Sequence, residues 1–189
     1  MAIDYEMLEF TNARLCRQWF DTHHASVDGV WLRMYKKASG IDSVVYAEAL
    51  DIALCYGWID GQRKKYDEVS YIQKFTPRRL RSLWSKRNIE HIERLNEAGL
   101  VMPQGVLEVE RAKQDGRWDA AYDAPSNMVV PNVFLQELAK HPQAQAFFET
   151  LNKTNKYSIA WRLQTAKTEA TRKRRQDKII NMLEAGETF

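Results

Sequence analysis

The alternation of apolar and polar positions predicts a mixed region of helices and strands in the first two thirds of the chain. Val30–Lys37 alternates with the period of a half-buried strand, and Trp58–Lys65 and Val69–Phe75 predict two further strands joined by a tight turn. Apolar residues at helical spacing predict one helix after Thr11, a candidate N-cap, and a second helix over Tyr46–Tyr56. We therefore expect an α+β fold, with a small antiparallel sheet of about three strands packed with helices.

Proline-containing pairs predict the start of two more helices. Threonine accepts hydrogen bonds from first-turn amides and proline suits the first helical position, so Thr76 and Pro77 predict one helix start. Met102 and Pro103 predict the other, and the helix that follows has an inward-facing apolar stripe of Val106, Val109 and Ala112.

The C-terminal third of the chain has only helical periodicity. Four helices are predicted, at Asn132–Lys140, Pro142–Asn152, Ser158–Thr165 and Thr168–Ala185. The segment DAPSNMVVP at 123–131 has the composition of a linker. The sequence thus predicts an α+β domain at 1–122, a linker at 123–131 and an all-α helical module at 132–189.

The charge is close to balanced overall but uneven along the chain. The net charge is +3, yet residues 62–94 hold ten basic against four acidic residues, and residues 153–178 hold nine against two. Such local excesses attract anionic partners, either small molecules or macromolecules such as nucleic acid.

Other features of the composition bear on location and cofactors. No stretch has the length of a membrane span, and the N-terminal residues lack a signal-peptide pattern, so we expect a cytoplasmic protein. Cys16 and Cys55 fall in apolar helical patterns, which predicts buried thiols. The four histidines are scattered, and no nucleotide-binding or nucleophile motif occurs. We therefore expect no metal and no cofactor.

The richest candidate site lies between the predicted second helix and residue 118. It combines indole rings with polar and basic side chains: Trp58, Asp60, Arg78, Arg79, Ser82, Trp84, Asn88 and Trp118. Arginines at a predicted helix N-terminus favour an anionic ligand, and Asp60 is a candidate acceptor or general base. The alternative is structural, since Asp-Gly is common in turns and tryptophans often anchor cores.

A second basic cluster occurs in the last predicted helix. It consists of Arg172, Lys173, Arg174, Arg175 and Lys178. Such a run is suited to nucleic-acid phosphates or anionic lipid. Adjacent helical residues point in different directions, however, so a solvated face is the alternative.

Several spaced motifs resemble one known family. GWIDGQ at Gly57–Gln62, SYIQKFTPRRLRSLWSKRN at Ser70–Asn88 and AKQDGRWDAAY at Ala112–Tyr122 resemble the YdeI/OmpD-associated family, also called bacteriocin-protection proteins. The stretch AWRLQTAKTEATRKRRQDKIINML at Ala160–Leu183 is similar to that family's terminal module, so the resemblance covers nearly the whole chain. It implies tolerance of bacteriocins or cationic antimicrobial peptides and a connection with an outer-membrane porin, and it transfers no catalytic residues.

Three hypotheses of function follow. The first is a cytoplasmic stress- or peptide-tolerance protein that acts by binding an anionic ligand or macromolecule at the 58–88 surface. The second is a nucleic-acid-binding protein that uses the two basic stretches. The third is an enzyme in which Asp60 is the acid or base.

Overall fold

The structure is a computed structural model, and it describes residues 5–124 and 127–189. The chain forms two compact units, one built from residues up to 84 with 88–119, the other from residues 85–87 with 120 onward. The predicted linker at 123–131 includes residues 125–126, which lie outside the described residues, and the predicted domain boundaries stay a prediction.

The first unit contains four strands and four α-helices within the described residues. The strands are β1 (Met7–Glu9), β2 (Val30–Tyr35), β3 (Trp58–Lys65) and β4 (Ser70–Pro77). The helices are α1 (Ala13–His23), α2 (Tyr46–Cys55), α3 (Lys86–Glu97) and α4 (Pro103–Gln114). The first residues of α3 group with the second unit. This confirms the α+β class.

The sheet has the strand order β1-β2-β4-β3. β2, β4 and β3 pair antiparallel as predicted, whereas β1 adds a fourth strand that runs parallel to β2. Three residues are too few for a period-two pattern, so the sequence did not indicate β1. Along β2 the predicted alternation holds: Val30, Leu32 and Met34 are buried, and the residues between them are half-buried.

The core of the first unit lies between one face of the sheet and helices α1 and α2. Phe20, Leu50 and Phe75 are among its fully buried side chains. Cys16 and Cys55 are also buried there as free thiols, which confirms their predicted burial. Helix α1 is capped by Asn12 and not by Thr11, because the Asn12 side chain accepts a hydrogen bond from the Leu15 amide.

The predicted helix start at Thr76 and Pro77 is wrong. Both residues belong to β4, where Thr76 pairs with Ile59 and Pro77 lies opposite Trp58. Proline is tolerated at the end of a strand, and the residue before it favours extended backbone, so sheet pairing overrides the helix signal. The next helix begins only at Lys86, and the intervening arginines therefore lie in an irregular segment instead of at a helix N-terminus.

The second unit is helical in the residues described. It contains α5 (Asn132–Leu138), α6 (Pro142–Thr150), α7 (Lys153–Gln164) and α8 (Glu169–Glu184). These helices share a core that includes Phe134, Leu138, Ile159, Leu163, Ile179 and Leu183. Thr168 caps α8, as the sequence predicts, by accepting a hydrogen bond from the Thr171 amide.

Candidate functional site

A cavity of about 290 Å³ lies in the first unit beside the point where α2 passes into β3. We call it the Trp58 cavity. Its lining includes the predicted site residues Trp58 and Arg78, together with His24, Asp28, Gln104 and Glu108. The volume is close to the lower limit of typical small-molecule pockets, roughly 300 Å³.

The turn at Gly57 explains how these side chains meet. Gly57 has a φ of +73°, a left-handed conformation that ends α2 and sends the chain directly into β3. Its carbonyl accepts a hydrogen bond from the Arg78 amide at 2.9 Å, which ties the end of β4 to the same turn. A Cβ at position 57 would lie 3.1 Å from Glu108 Cγ, so α4 packs closely against this turn.

Trp58 is a core anchor as well as a wall of the cavity. Its side chain is 1% exposed, and its indole Nε1 donates to the His24 carbonyl oxygen at 3.1 Å. The ring lies edge-to-face against Phe20 and Trp19, with centroid distances of 5.1 and 6.2 Å. Because the indole N–H is already bonded, Trp58 offers a ligand its carbon surface.

Arg78 is buried against aromatic rings. Its guanidinium carbon lies 3.5 Å from the Trp84 ring centroid, and Nη1 donates to the Leu83 carbonyl at 3.3 Å. Trp84 in turn packs on Trp118 at a centroid distance of 5.1 Å. Stacking on an indole stabilises a guanidinium removed from water. The structure thus brings four of the predicted residues, Trp58, Arg78, Trp84 and Trp118, into one part of the unit.

Only two of the eight predicted residues, Trp58 and Arg78, line the cavity. Trp84 and Trp118 do not, and the other four have separate contacts. Asp60 accepts a hydrogen bond from the Tyr46 hydroxyl at 2.9 Å near the start of β3. Arg79 is exposed, and its amide donates to the Ser82 hydroxyl in the irregular segment after β4. Asn88 is buried on α3. These contacts are local or structural.

Glu108 is the residue that the sequence reasoning missed. It is 3% exposed, and its Oε1 pairs with Arg111 Nη1 at 2.6 Å. Its Oε2 is buried and accepts no hydrogen bond from the described part of the protein. The predicted inward stripe of α4 was therefore partly wrong: Val106 is 42% exposed, and the buried positions are Gly105, Glu108 and Ala112. These three residues have the i, i+3, i+7 spacing of one helix face, so the sequence did carry a signal for this buried face.

The basic cluster of α8 does not form one continuous face. Arg172 pairs with Glu169 at 2.8 Å, and Lys173 pairs with Asp177 at 3.3 Å. Arg175 turns toward α7 and donates to the Arg162 carbonyl at 2.6 Å, which satisfies an acceptor near that helix's C-terminus. Of the five residues, Arg174 and Lys178 are left as exposed cations without an ion pair among the described residues.

Two structural findings concern metals and membranes. Within residues 5–124 and 127–189, no group of three or more His, Cys, Asp or Glu side chains is placed to hold a metal ion. Among the helices that the structure describes, none is both long enough and apolar enough to cross a bilayer.

The fold and cavity define a two-unit protein, an α+β unit with a small-molecule-sized cavity and a helical unit. Residues 8–108, more than half of the chain, match the model of a domain of unknown function, DUF8412, and the chain belongs to that family. Residues 127–186 match the family described as Bacteriocin-protection, YdeI or OmpD-Associated, which confirms the resemblance over this stretch. The Gly57–Asn88 motifs lie in the part matched by the first model.

The second match supports a bacteriocin-protection-like function at the level of the family. No match was found among curated proteins or among solved structures.

Proposed function

We propose that the protein acts by binding, and that a small polar molecule occupies the Trp58 cavity. The observation that carries this proposal is the cavity of about 290 Å³ itself, whose wall holds Trp58 together with the buried charged residues Arg78 and Glu108. Concave sites of this kind, with apolar surface and a few fixed polar groups, are where small molecules bind.

The two predicted residues in the cavity wall support the same function. Trp58 gives a rigid apolar surface, and Arg78, whose amide donates to the Gly57 carbonyl, adds a buried basic group. Ligand sites combine apolar surface with fixed polar groups. This cavity has apolar side chains such as Trp58 and Pro77 beside Asp28, Gln104 and Glu108, which suits a polar ligand. We further propose that binding here serves tolerance of antimicrobial peptides or of stress in the cytoplasm, in keeping with the family matched by residues 127–186.

A titration followed by ¹H–¹⁵N NMR tests the proposal. Nucleotides, phosphorylated metabolites, amino acids and short peptides are added to the full chain, and the indole N–H signal of Trp58 and the Arg78 amide are followed. We expect one class of compound to shift both signals in a saturable way, because both groups adjoin the cavity. The indole signal of Trp161, in the second unit, is an internal control that should not move. Unchanged Trp58 and Arg78 signals throughout the panel would refute the proposal.

A second candidate function is binding of single-stranded nucleic acid by the sheet face that carries Trp31. Trp31 pairs with Lys74 across the β2–β4 ladder, and Lys64 pairs with Ile72, so the three point to the same side. The Lys64 and Lys74 Nζ atoms lie 4.9 and 5.9 Å from the Trp31 ring centroid. Within the described residues neither lysine forms an ion pair, which leaves both charges available to phosphates.

Aromatic rings beside cations on an open sheet are suited to stacked bases and their phosphates. The test is fluorescence anisotropy of a labelled oligo(U) strand at several salt concentrations. For the double variant Lys64→Ala/Lys74→Ala we expect weaker binding and a salt slope about 1.4 units shallower, at roughly 0.7 per lost contact. The control is Lys173→Ala, whose charge is already paired on α8. Equal binding by both variants would exclude the sheet face.

A further inference from the structure

A second cavity, of about 120 Å³, lies between α3 and α4 in the first unit. We call it the Val106 groove. Its apolar wall consists of Ile92, Val101, Val106, Val109 and Trp118. Ile92 on α3 is 2% exposed and Val106 on α4 is 42% exposed, so the groove extends from the core to the surface. Apolar side chains therefore meet solvent here.

The position of the two valines is unusual for a surface helix. The sequence predicts that Val106 and Val109 face inward with Ala112, but only Ala112 is fully buried. Val106, Val109 and Lys113 have the i, i+3, i+7 spacing of one helix face, and this face lines the groove. Helix α4 thus has apolar side chains on a face that the core does not use. Contiguous exposed apolar surface often marks an interaction site.

The volume of the groove decides what size of group can enter it. Small-molecule pockets begin at roughly 300 Å³, and the Val106 groove has less than half of that volume. An apolar cavity of about 150 Å³ accepts a molecule of the size of benzene. The groove therefore suits one apolar side chain of a polypeptide and is too small for a whole metabolite.

The charges around the groove are mainly acidic. Glu93 lies in its wall, and Glu90 and Glu97 lie three residues before it and four residues after it on the same side of α3, over about 10 Å. All three are exposed, and none forms an ion pair within the described residues. On the opposite wall, Glu110 and Lys113 pair with each other at 3.2 Å. A partner with positive charges beside an apolar side chain is complementary to this surface.

We infer that the Val106 groove is an interaction surface for a basic amphipathic helix, which inserts one apolar side chain between α3 and α4. Lysine or arginine side chains on the neighbouring turns of that helix lie against Glu93 and Glu97. Amphipathic helices bind apolar grooves through such anchors, and a central buried anchor carries much of the binding energy. The groove shares no lining residue with the Trp58 cavity, so this inference does not depend on the function proposed for that cavity.

Three synthetic peptides of equal length separate the apolar contribution from the charge. The first is an amphipathic helix of lysine and leucine, the second has glutamate in place of lysine, and the third has serine in place of leucine. Each is titrated into the full chain while the Trp118 indole N–H signal is followed by NMR. We expect the lysine–leucine peptide to shift this signal in a saturable way, and we expect the other two to leave it unchanged. The Trp161 indole, in the second unit, is the internal control.

Val106→Arg tests whether the groove receives the peptide. The long cationic side chain fills the groove and repels lysine, so we expect at least tenfold weaker binding of the lysine–leucine peptide. The matched control is Val133→Arg in the second unit, where the valine is 70% exposed and the added charge is the same. It should leave the affinity unchanged. Far-UV circular dichroism and the thermal midpoint establish that each variant is folded.

A second pair of variants tests the carboxylates. We expect Glu93→Gln/Glu97→Gln to weaken binding of the lysine–leucine peptide about threefold, because exposed ion pairs contribute little each. The control is Glu149→Gln/Glu187→Gln, which removes two exposed carboxylates from the second unit and should have no effect.

The inference fails if the lysine–leucine peptide leaves the Trp118 signal unchanged, or if the glutamate–leucine or lysine–serine peptide binds as tightly. Full affinity in a folded Val106→Arg variant overturns it as well. Equal weakening by the two glutamine double variants would show that the overall charge, and not the rim of the groove, attracts the peptide.

Discussion

Replacing Gly105 by alanine tests the packing that buries Glu108. Gly105 lies on α4 against the C-terminal end of α2, and the Met102 amide donates to the Cys55 carbonyl at 3.0 Å beside it. A Cβ at position 105 would overlap the Cys55 carbonyl oxygen and would lie 2.9 Å from both the Cys55 carbonyl carbon and Val101 Cγ1. Real Cβ contacts essentially never fall below 3.0 Å, so α4 would have to move.

Two opposing terms decide the sign of the effect. Alanine is favoured over glycine inside a helix by about 0.8–1 kcal/mol. Overpacking costs about 1–3 kcal/mol, and the upper value applies here because a backbone carbonyl has no rotamer through which to escape. The expected result is a loss of about 2 kcal/mol in the free energy of unfolding. Displacement of α4 would also move Gln104 and Glu108, so binding in the Trp58 cavity should weaken.

Urea unfolding followed by tryptophan fluorescence measures this effect, since five of the six tryptophans lie in the first unit. The matched control is Leu107→Ala on the same helix, where the side chain is 48% exposed and the change should stay within about 0.5 kcal/mol. A Gly105→Ala protein as stable as the wild type, or more stable, would show that helix propensity wins and that α4 does not contact α2 this closely.

Three further predictions concern a cap, a carboxylate and a thiol. Asn12→Ala should cost about 1 kcal/mol in urea unfolding and Thr11→Ala much less, because Asn12 caps α1; equal losses would contradict this. The hydroxyl of Ser70, neighbouring amides and an arginine lower the pKa of Asp67 from 3.8 to about 2, so its contribution to stability is complete above pH 3.8 and is lost as the pH falls through about 2. The difference in urea midpoint between wild type and Asp67→Asn should shrink over that interval, and a constant difference would refute the assignment. Burial raises the pKa of Cys16 to about 12, so iodoacetamide at pH 8 should leave Cys16 unmodified in folded protein and modify it in urea, as peptide mass spectrometry would report.

Local signals in the sequence were sufficient for much of the fold. The alternation of Val30–Tyr35, the glycine after α2 and the Met102-Pro103 start of α4 each depend on residues within one turn or strand, and the structure has all three. Thr168 likewise caps α8 as its residue type indicates. Such features are set by backbone sterics and nearby hydrogen bonds, which neighbouring residues decide by themselves.

The errors arose where distant residues compete with a local preference. Thr76 and Pro77 suit a helix start by themselves, but their position opposite Ile59 and Trp58 in the sheet holds them in β4. The consequence for function is direct. The arginines that follow are not at a helix N-terminus, and one of them, Arg78, is instead buried against Trp84 beside the cavity.

The sequence by itself therefore determined the class of fold, most of the elements and two of the residues that line the cavity, Trp58 and Arg78. Only the tertiary structure decided that Glu108 belongs with them. A glutamate on an amphipathic helix is expected at the surface, because burying a carboxylate is costly. The close approach of α4 to α2 at Gly105 and to the Gly57 turn encloses this one, and that approach depends on residues about fifty positions apart in the chain.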